Sequence, residues 1–277
     1  MCNPRRSTSS WFAVWVIALT LSGTMSHAAG DDLEALYLAN EGVLIAQGDT
    51  KIIFDPLYDN TYNTYQAVPD VLRSALLAAQ PPFDNIQALF VSHSHGDHFS
   101  AQDVAAFLRA HPQAVVVAPS QAIETLRQAQ PATSSERLIA IELDYDAEPI
   151  TLSVGSLTVE AVRIAHAGGP ERRAIQNILY RVTLPEDGVV IHMGDADPAP
   201  ANYQPYADHW RAKRTDVAFP PYWFFREATT QTYLSQGLNA KRSVGVHVPV
   251  DVPAELRASG ADFFSQPGES RTISVQD

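Results

Sequence analysis

Residues 90–99, FVSHSHGDHF, constrain this chain more than any other stretch. His93, His95, Asp97 and His98 stand in the pattern H-x-H-x-D-H, three imidazoles and a carboxylate within six residues. The apolar residues 88–91 in front of them read as a buried strand. In extended chain, residues two apart point the same way, so His93 and His95 can converge on one cation, whereas a helix would spread them. Gly96 then lets the backbone turn and aims Asp97 and His98 at a second nearby point. The spacing predicts two adjacent metal positions at the end of a strand. A lone histidine there would usually be a solvated loop residue. Four ligand-capable side chains at this spacing are not explained that way.

The H-x-H-x-D-H pattern resembles the signature of the metallo-β-lactamase superfamily. Three later positions fit that superfamily's remaining motifs. His166 follows a strand ending in Arg163-Ile164-Ala165 and is left through Ala167-Gly168-Gly169. Asp195 lies in His192-Met193-Gly194-Asp195, after an apolar strand, and His247 follows Ser243-Val244-Gly245-Val246. Each stands at a strand-to-loop junction. The resemblance spans about residues 35–250 and implies an α/β fold, an αββα sandwich of two mixed sheets flanked by helices. It implies that His93, His95 and His166 hold one metal, that Asp97, His98 and His247 hold a second, and that Asp195 bridges both. It also implies that Asp55 supports the metal loop from behind, with His192 no nearer than that. A carboxylate simply closing a turn after Asp55-Pro56 is an equally good account of Asp55.

The rest of the chain suits this frame. Short apolar strands at residues 36–38, 43–46 and 52–54 are separated by turn signals at 40–42 and 48–49. Residues 59–68 are polar and aromatic without periodicity, a loop of the kind that carries substrate contacts. Residues 69–79 predict a helix with Val71, Leu72, Leu76 and Leu77 on one face. Ser100 is placed to cap a helix running to about Arg109. A strand at 115–117 and a helix at 120–128 follow. His111, before Pro112, reads as a solvated, structural residue, and His209 as structural on a helix. Strands are expected at 138–143, 150–154, 157–164, 178–184, 189–192, 217–219 and 244–248. Helices are expected near 203–213 and 228–238, with a short helix and a polar end after Pro253. This order predicts two sheets sandwiched between helices.

The first residues read as a targeting segment. Arg5 and Arg6 precede an apolar run at residues 11–21, too short for a membrane span of about 20 residues. Ser26-His27-Ala28 then offers small residues for cleavage. Residues 1–28 are therefore expected to be a signal peptide, with an uncleaved anchor as the runner-up, and residues 29–277 a single domain that is periplasmic or secreted. The one cysteine, Cys2, falls in that segment, so any site must be built from histidine and carboxylate. Removing Arg5 and Arg6 takes Lys+Arg from 19 to 17 against 31 Asp+Glu, and the formal net charge from −12 to −14. An acidic chain whose only lysines are Lys51, Lys213 and Lys241 is a poor partner for nucleic acid or an anionic membrane.

The expected cofactors are two zinc ions, the default for thiol-free His-rich sites, with manganese or iron as substitutes. Such a pair, about 3.5–4 Å apart, brings the pKa of a shared water toward ~7, giving a bridging hydroxide, and polarises the scissile oxygen. Asp97 is placed to orient that hydroxide or pass on its proton. The expected substrate is a small lactone or ester. Tyr222 and Trp223, in the aromatic run at residues 219–225, are the chosen substrate contacts. Arg172 and Arg173 can hold one carboxylate or phosphate. Within the superfamily, S-H-S-H-G-D-H, H-A-G-G-P-E-R around His166 and H-x-G-D are most similar to the branch that includes ascorbate-6-phosphate lactonase.

Competing readings are a phosphodiesterase or β-lactamase on the same site, a single-iron oxygenase, and a periplasmic metal-binding protein without catalysis. Flavin-partnered di-iron members of the superfamily carry Glu where this chain has His95. Its processing nucleases carry a large insertion that the interval from Asp195 to His247 cannot hold.

Overall fold

A computed structural model describes residues 32–275 of the 277-residue chain. The proposed signal segment at residues 1–28 lies outside the described residues. Among those described, no helix is long and apolar enough to cross a membrane.

The chain opens with β1 (Leu33–Ala39), β2 (Gly42–Gln47) and β3 (Thr50–Phe54), an antiparallel meander. Then follow α1 (Asp70–Leu77), β4 (Ile86–Phe90), α2 (Ala101–Ala110), β5 (Val115–Pro119), α3 (Ser120–Ala129) and β6 (Leu138–Ile141). The second half contains β7 (Ile150–Val154), β8 (Leu157–Arg163), β9 (Ile178–Thr183), β10 (Val189–His192), α4 (Ala207–Ala212), β11 (Thr215–Phe219), α5 (Ala228–Gln236) and β12 (Ala240–Ser243). It closes with α6 (Ala254–Ala258) and β13 (Ser270–Ile273). One sheet has the order β13-β1-β2-β3-β4-β5-β6, the other β12-β11-β10-β9-β8-β7. Both are mixed, as expected, and helices flank them.

The central strands are largely apolar because both faces of each sheet are covered there. On β3, Ile52 and Phe54 enter the core between the sheets while Ile53 joins the layer under α1–α3. On β9, Ile178, Tyr180 and Val182 face the other sheet, and Leu179 faces outward with Trp210 and Leu234. Phe54 stacks on Phe90 at 5.0 Å and on His192 of the opposite sheet at 4.8 Å, tying the layers together directly beneath the histidine-rich edge.

Topology places that edge. β3, β4 and β5 run parallel, as do β10, β11 and β12. β8 is antiparallel to β9, which is antiparallel to β10, so β8 runs in the direction of β10. The loops carrying Asp55, residues 92–98, His166, Asp195 and His247 therefore leave at one end, where parallel sheets gather ligand-binding groups.

Several local expectations differ from the structure. Val71 is 66% exposed, since α1 buries Leu76 and leaves its first turn in water. His111 is buried: its ring stacks on Phe107 at 4.1 Å and its Nε2 donates to the Leu76 carbonyl at 2.7 Å. Ser100 sits at the N-cap of α2, yet its hydroxyl makes no capping bond. Residues 203–213 form a 3-10 turn and then the short α4. Residues 244–248 are not a strand. β12 ends at Ser243, and the next backbone N–H groups go to separate acceptors on Ala218, Asp262, Pro220 and Asn40. The polar end supplies β13, which pairs antiparallel with β1 and closes the sheet edge.

Candidate metal centre

Two groups of side chains meet at this edge. The donor atoms of His93, His95, His166 and Asp195 lie within 4.8 Å of one another, as do those of Asp97, His98 and His247. In the first group His95 Nδ1 stands 3.0 Å from His93 Nε2 and 3.1 Å from His166 Nε2. In the second, His98 Nε2 and His247 Nε2 are 3.2 Å apart, with Asp97 Oδ2 at 3.7 and 3.5 Å from them. Asp195 stands between the groups. Its Oδ2 is 3.2 Å from His166 Nε2 and 3.8 Å from His93 Nε2, while its Oδ1 is 2.8 Å from His247 Nε2 and 3.3 Å from His98 Nε2.

In His93, His98 and His166 the ring nitrogen turned away from the centre is occupied. His93 Nδ1 donates to Ser92 Oγ at 3.0 Å, and His98 Nδ1 to Asp55 Oδ2 at 2.9 Å. His166 Nδ1 donates to the Ala167 carbonyl at 2.6 Å. These bonds set the tautomers so that the Nε2 lone pairs of all three rings face inward. A tetrahedral cation with nitrogen ligands at about 2.0–2.1 Å holds neighbouring ligands roughly 3.3 Å apart. Lone pairs converging at 3.0–3.2 Å with a shared carboxylate fit a pair of divalent cations of the nitrogen- and oxygen-binding kind.

The frame beneath is built from buried polar groups. Asp55, at φ 37°, accepts the Ser92 N–H at 2.7 Å and the Ser92 hydroxyl as well as His98. Gly194, at φ 53°, brings Asp195 into position. A Cβ there would stand 2.5 Å from Asn177 Oδ1 and 2.6 Å from Ser92 Cβ, contacts that do not occur. Asn177 Oδ1 in turn accepts the Asp195 N–H at 3.0 Å. The β1–β2 turn clamps two site loops: Asn40 Nδ2 donates to the Asp97 carbonyl at 2.8 Å, and the Asn40 carbonyl accepts the His247 N–H at 2.8 Å.

Electrostatics separates the two groups in the protein without cations. Burial, aided by repulsion from neighbouring imidazoles, pushes His93 well below and His95 below the ordinary histidine value, so both are neutral. Burial acts the same way on His98 and His247, but the surrounding carboxylates outweigh it. His98 is held well above its ordinary value and His247 at about 9. Burial likewise opposes ionisation of Asp195, and the imidazoles of His247, His98 and His166 overcome it and hold the carboxyl well below the usual range.

Three residues in this site were not singled out by sequence reasoning. Glu41 is fully buried, both its oxygens lack hydrogen-bond partners, and burial pushes its carboxyl well above the ordinary range. Its Oε2 lies 3.8 Å from His98 Nδ1 and 3.5 Å from His192 Nε2. In the sequence it is only the middle of a turn signal. Asn177 carries no motif at all. Tyr65 belongs to the loop at residues 59–68, which was marked for substrate contacts without a residue being chosen. Its ring meets His247 edge-on, centroids 4.0 Å apart. His192 donates Nε2 to the Glu41 carbonyl at 3.0 Å and forms the floor behind the centre.

A cleft of about 600 Å³ opens beside the two groups. His166, Asp195, Tyr65, Trp223, Arg172 and Arg226 are on its walls. Trp223 lies 5.3 Å from the His247 ring and donates Nε1 to the Ala196 carbonyl at 3.0 Å. Tyr222 is not on these walls: it is buried, and its hydroxyl accepts from Arg226 at 2.9 Å. Arg173 is absent from them too, with its guanidinium over the Tyr145 ring at 4.8 Å. His209 belongs to a separate network with Arg181 and Glu160, consistent with a structural role.

The fold recurs in solved structures. Igni18, a metallo hydrolase from Ignicoccus hospitalis, is 15% identical with a TM-score of 0.57, over 88% of this chain and 100% of that one. An isothiocyanate hydrolase from Delia radicum gut bacteria is 15% identical with a TM-score of 0.59, over 87% and 100%. CmlA, a diiron β-hydroxylase from Streptomyces venezuelae, is 15% identical with a TM-score of 0.53, over 89% of this chain and 54% of that one. At these identities the likeness is one of fold. No curated protein matches the chain. Residues 50–261 match the model of the beta-lactamase superfamily domain, and the protein belongs to that family.

Proposed function

We propose that the protein is a metal-dependent hydrolase of a small lactone or ester, of the lactonase-like kind within its superfamily. One observation carries this reading: the two oxygens of Asp195 face two different ligand groups, 2.8 Å from His247 and 3.2 Å from His166. A protein that only stores metal has no need of a shared carboxylate at the wall of an open cleft.

In this reading His93, His95 and His166 would hold one cation, Asp97, His98 and His247 would hold the other, and Asp195 would serve both groups. Zinc is the metal we propose. When bound, such cations would supply an activated water at neutral pH and a Lewis acid for the scissile carbonyl oxygen. Asp97 orients the attacking oxygen and passes its proton toward the leaving group. Asp55 and Ser92 hold His98 and His93 in the ligating tautomers. Trp223 and Tyr65 pack the apolar part of the substrate beside His247. Burial and nearby Asp195 keep the Tyr65 phenol protonated above its ordinary range, so it serves as a donor and never as a base.

We also propose that residues 1–28 direct export and are removed, leaving a periplasmic or secreted enzyme. The intact mass of the exported protein checks this, and a chain retaining Trp11 refutes it.

The test of the hydrolase reading is metal content together with a substrate panel of lactones, β-lactams, phosphodiesters and single-stranded nucleic acid. Two zincs per chain with lactone or ester turnover is the expected result. A single iron with oxygen consumption overturns it, as does nucleic-acid cleavage with esters untouched.

A further inference from the structure

We infer that Arg172 and Arg226 form an oxyanion-holding wall in the cleft beside the metal centre, so that the substrate carries a carboxylate or phosphate besides the bond that is cleaved. The inference rests on the hydrolase reading and names the substrate class more closely.

Both guanidinium groups line the cleft that His166 and Asp195 line. Arg226 is held in place. Its Nη2 donates to the Tyr222 hydroxyl at 2.9 Å, and its guanidinium carbon lies 5.0 Å from the Tyr222 ring centroid. A guanidinium fixed on an aromatic face presents its remaining donors as a rigid fork, the geometry that matches a carboxylate or phosphate. Tyr222 thus contributes indirectly, by aiming Arg226.

Arg172 is placed by a different device. It ends the 3-10 turn Pro170–Arg172, and its side chain lies across the backbone of Gly168. A Cβ at Gly168 would stand 2.9 Å from Arg172 Nε, so the missing side chain is what lets the guanidinium lie against the His166 loop. Gly168 also has φ 105°, a conformation other residues rarely adopt.

Neither arginine has a carboxylate within ion-pair distance among the described residues. Some other guanidinium groups in this acidic chain are clamped by carboxylates, Arg181 on Glu160 at 2.7 Å, and Arg242 and Arg271 on Asp262 at 2.7 and 3.0 Å. Besides Asp195, which belongs to the ligand groups, two carboxylates share the cleft, and neither neutralises the pair. Asp197 Oδ1 accepts from the Ala199 N–H and from Asn202, both at 2.9 Å, and Glu227 bonds to neither arginine. In a chain of net charge −12, two guanidinium groups without carboxylate partners, on the walls of the cleft that His166 and Asp195 share, make it selective for an anionic small molecule.

The experiment uses the zinc-loaded protein in two arms. In the first, one lactone is supplied neutral, carboxylated and phosphorylated. Wild type is expected to favour an anionic form. In Arg172→Met and in Arg226→Met the anionic-to-neutral ratio of kcat/KM is expected to fall at least tenfold, through KM, with metal content retained. Tyr222→Phe, which unpins Arg226, gives a smaller fall. In the second arm, calorimetry measures succinate and inorganic phosphate binding to wild type and to the double arginine variant. A tenfold or greater loss of affinity is expected, and the preferred anion identifies the substrate's charged group. Equal affinity in both proteins means the anion sits on the metals alone and overturns the proposal, as does an unchanged selectivity ratio. If no lactone or ester is cleaved but the variants still lose anion affinity, the hydrolase reading fails and the anion wall stands.

Discussion

Asp55 Oδ2 accepts the Nδ1 proton of His98 at 2.9 Å, while Asp55 Oδ1 accepts the Ser92 backbone N–H at 2.7 Å. One buried carboxylate therefore sets both the path of the histidine-rich loop and the tautomer of a ligand within it. Asp55→Asn keeps the shape and removes the charge. Loss of such a supporting partner costs about 10- to 100-fold in metal affinity. The weakening should fall on the group containing His98, with the His93 group less affected. Competition with a chromophoric chelator reads both steps. Uniform affinity in the variant would contradict this role for Asp55.

Asp195→Asn should lose both metals together, because each carboxylate oxygen serves one group. Elemental analysis is expected to show less than one metal per chain, with turnover lost in parallel. In the wild type, chelation should abolish activity and added zinc restore it. A variant that keeps two metals and full activity would remove the central assignment.

In the protein stripped of metal, the four histidines His93, His95, His98 and His247 together should contribute most to stability near pH 6.5. His247, raised from 6.5 to about 9, and His98, also raised, contribute stability that is fully present below 6.5 and lost as pH rises through the folded values. His93 and His95 are shifted down, so their contribution is present above 6.5 and lost as pH falls. Thermal unfolding of chelated protein at pH 5.5, 6.5, 7.5 and 9 checks both limbs. Zinc should reverse the upper limb, because cations displace the His98 and His247 protons more readily as pH rises.

Gly194→Ala places a methyl 2.5 Å from Asn177 Oδ1 in a residue at φ 53°. Strain of this kind costs of order 1–3 kcal/mol before the clash is counted. The expected result is a clear drop in the denaturation midpoint, with zinc affinity reduced as Asp195 shifts. A midpoint equal to wild type would show that the Asp195 loop is freer than the contacts imply.

Trp223→Ala, which removes a ring beside His247, and Tyr65→Phe, which removes a phenol donor on the cleft, should raise KM while metal content is retained. Steady-state kinetics with elemental analysis separates a lost substrate contact from a lost metal. Unchanged kinetics in both variants would remove them from the binding surface.

The local pattern carried a large share of this protein. Short-range rules act on neighbouring residues, so the short apolar runs of the buried strands and the convergence of His93 with His95 were legible directly. The run at residues 244–248 misled for the same reason. It is apolar and buried like a strand, but its hydrogen bonds go to four separate partners, and only the assembled fold makes them available. β13 was illegible because its partner, β1, lies at the opposite end of the chain.

By itself the sequence determined which side chains offer lone pairs, and that no thiol among residues 32–275 competes with them. The tertiary structure alone decided how those side chains are arranged. Parallel strand pairing in two sheets brings loops distant in sequence to one edge, and only there do the oxygens of Asp195 divide between two groups. It also decided that Glu41 is enclosed, that Trp223 lines the cleft while Tyr222 backs Arg226, and that Arg172 and Arg173 part company. Enclosure and direction depend on what packs against a residue from elsewhere in the chain, a property no neighbouring residues encode.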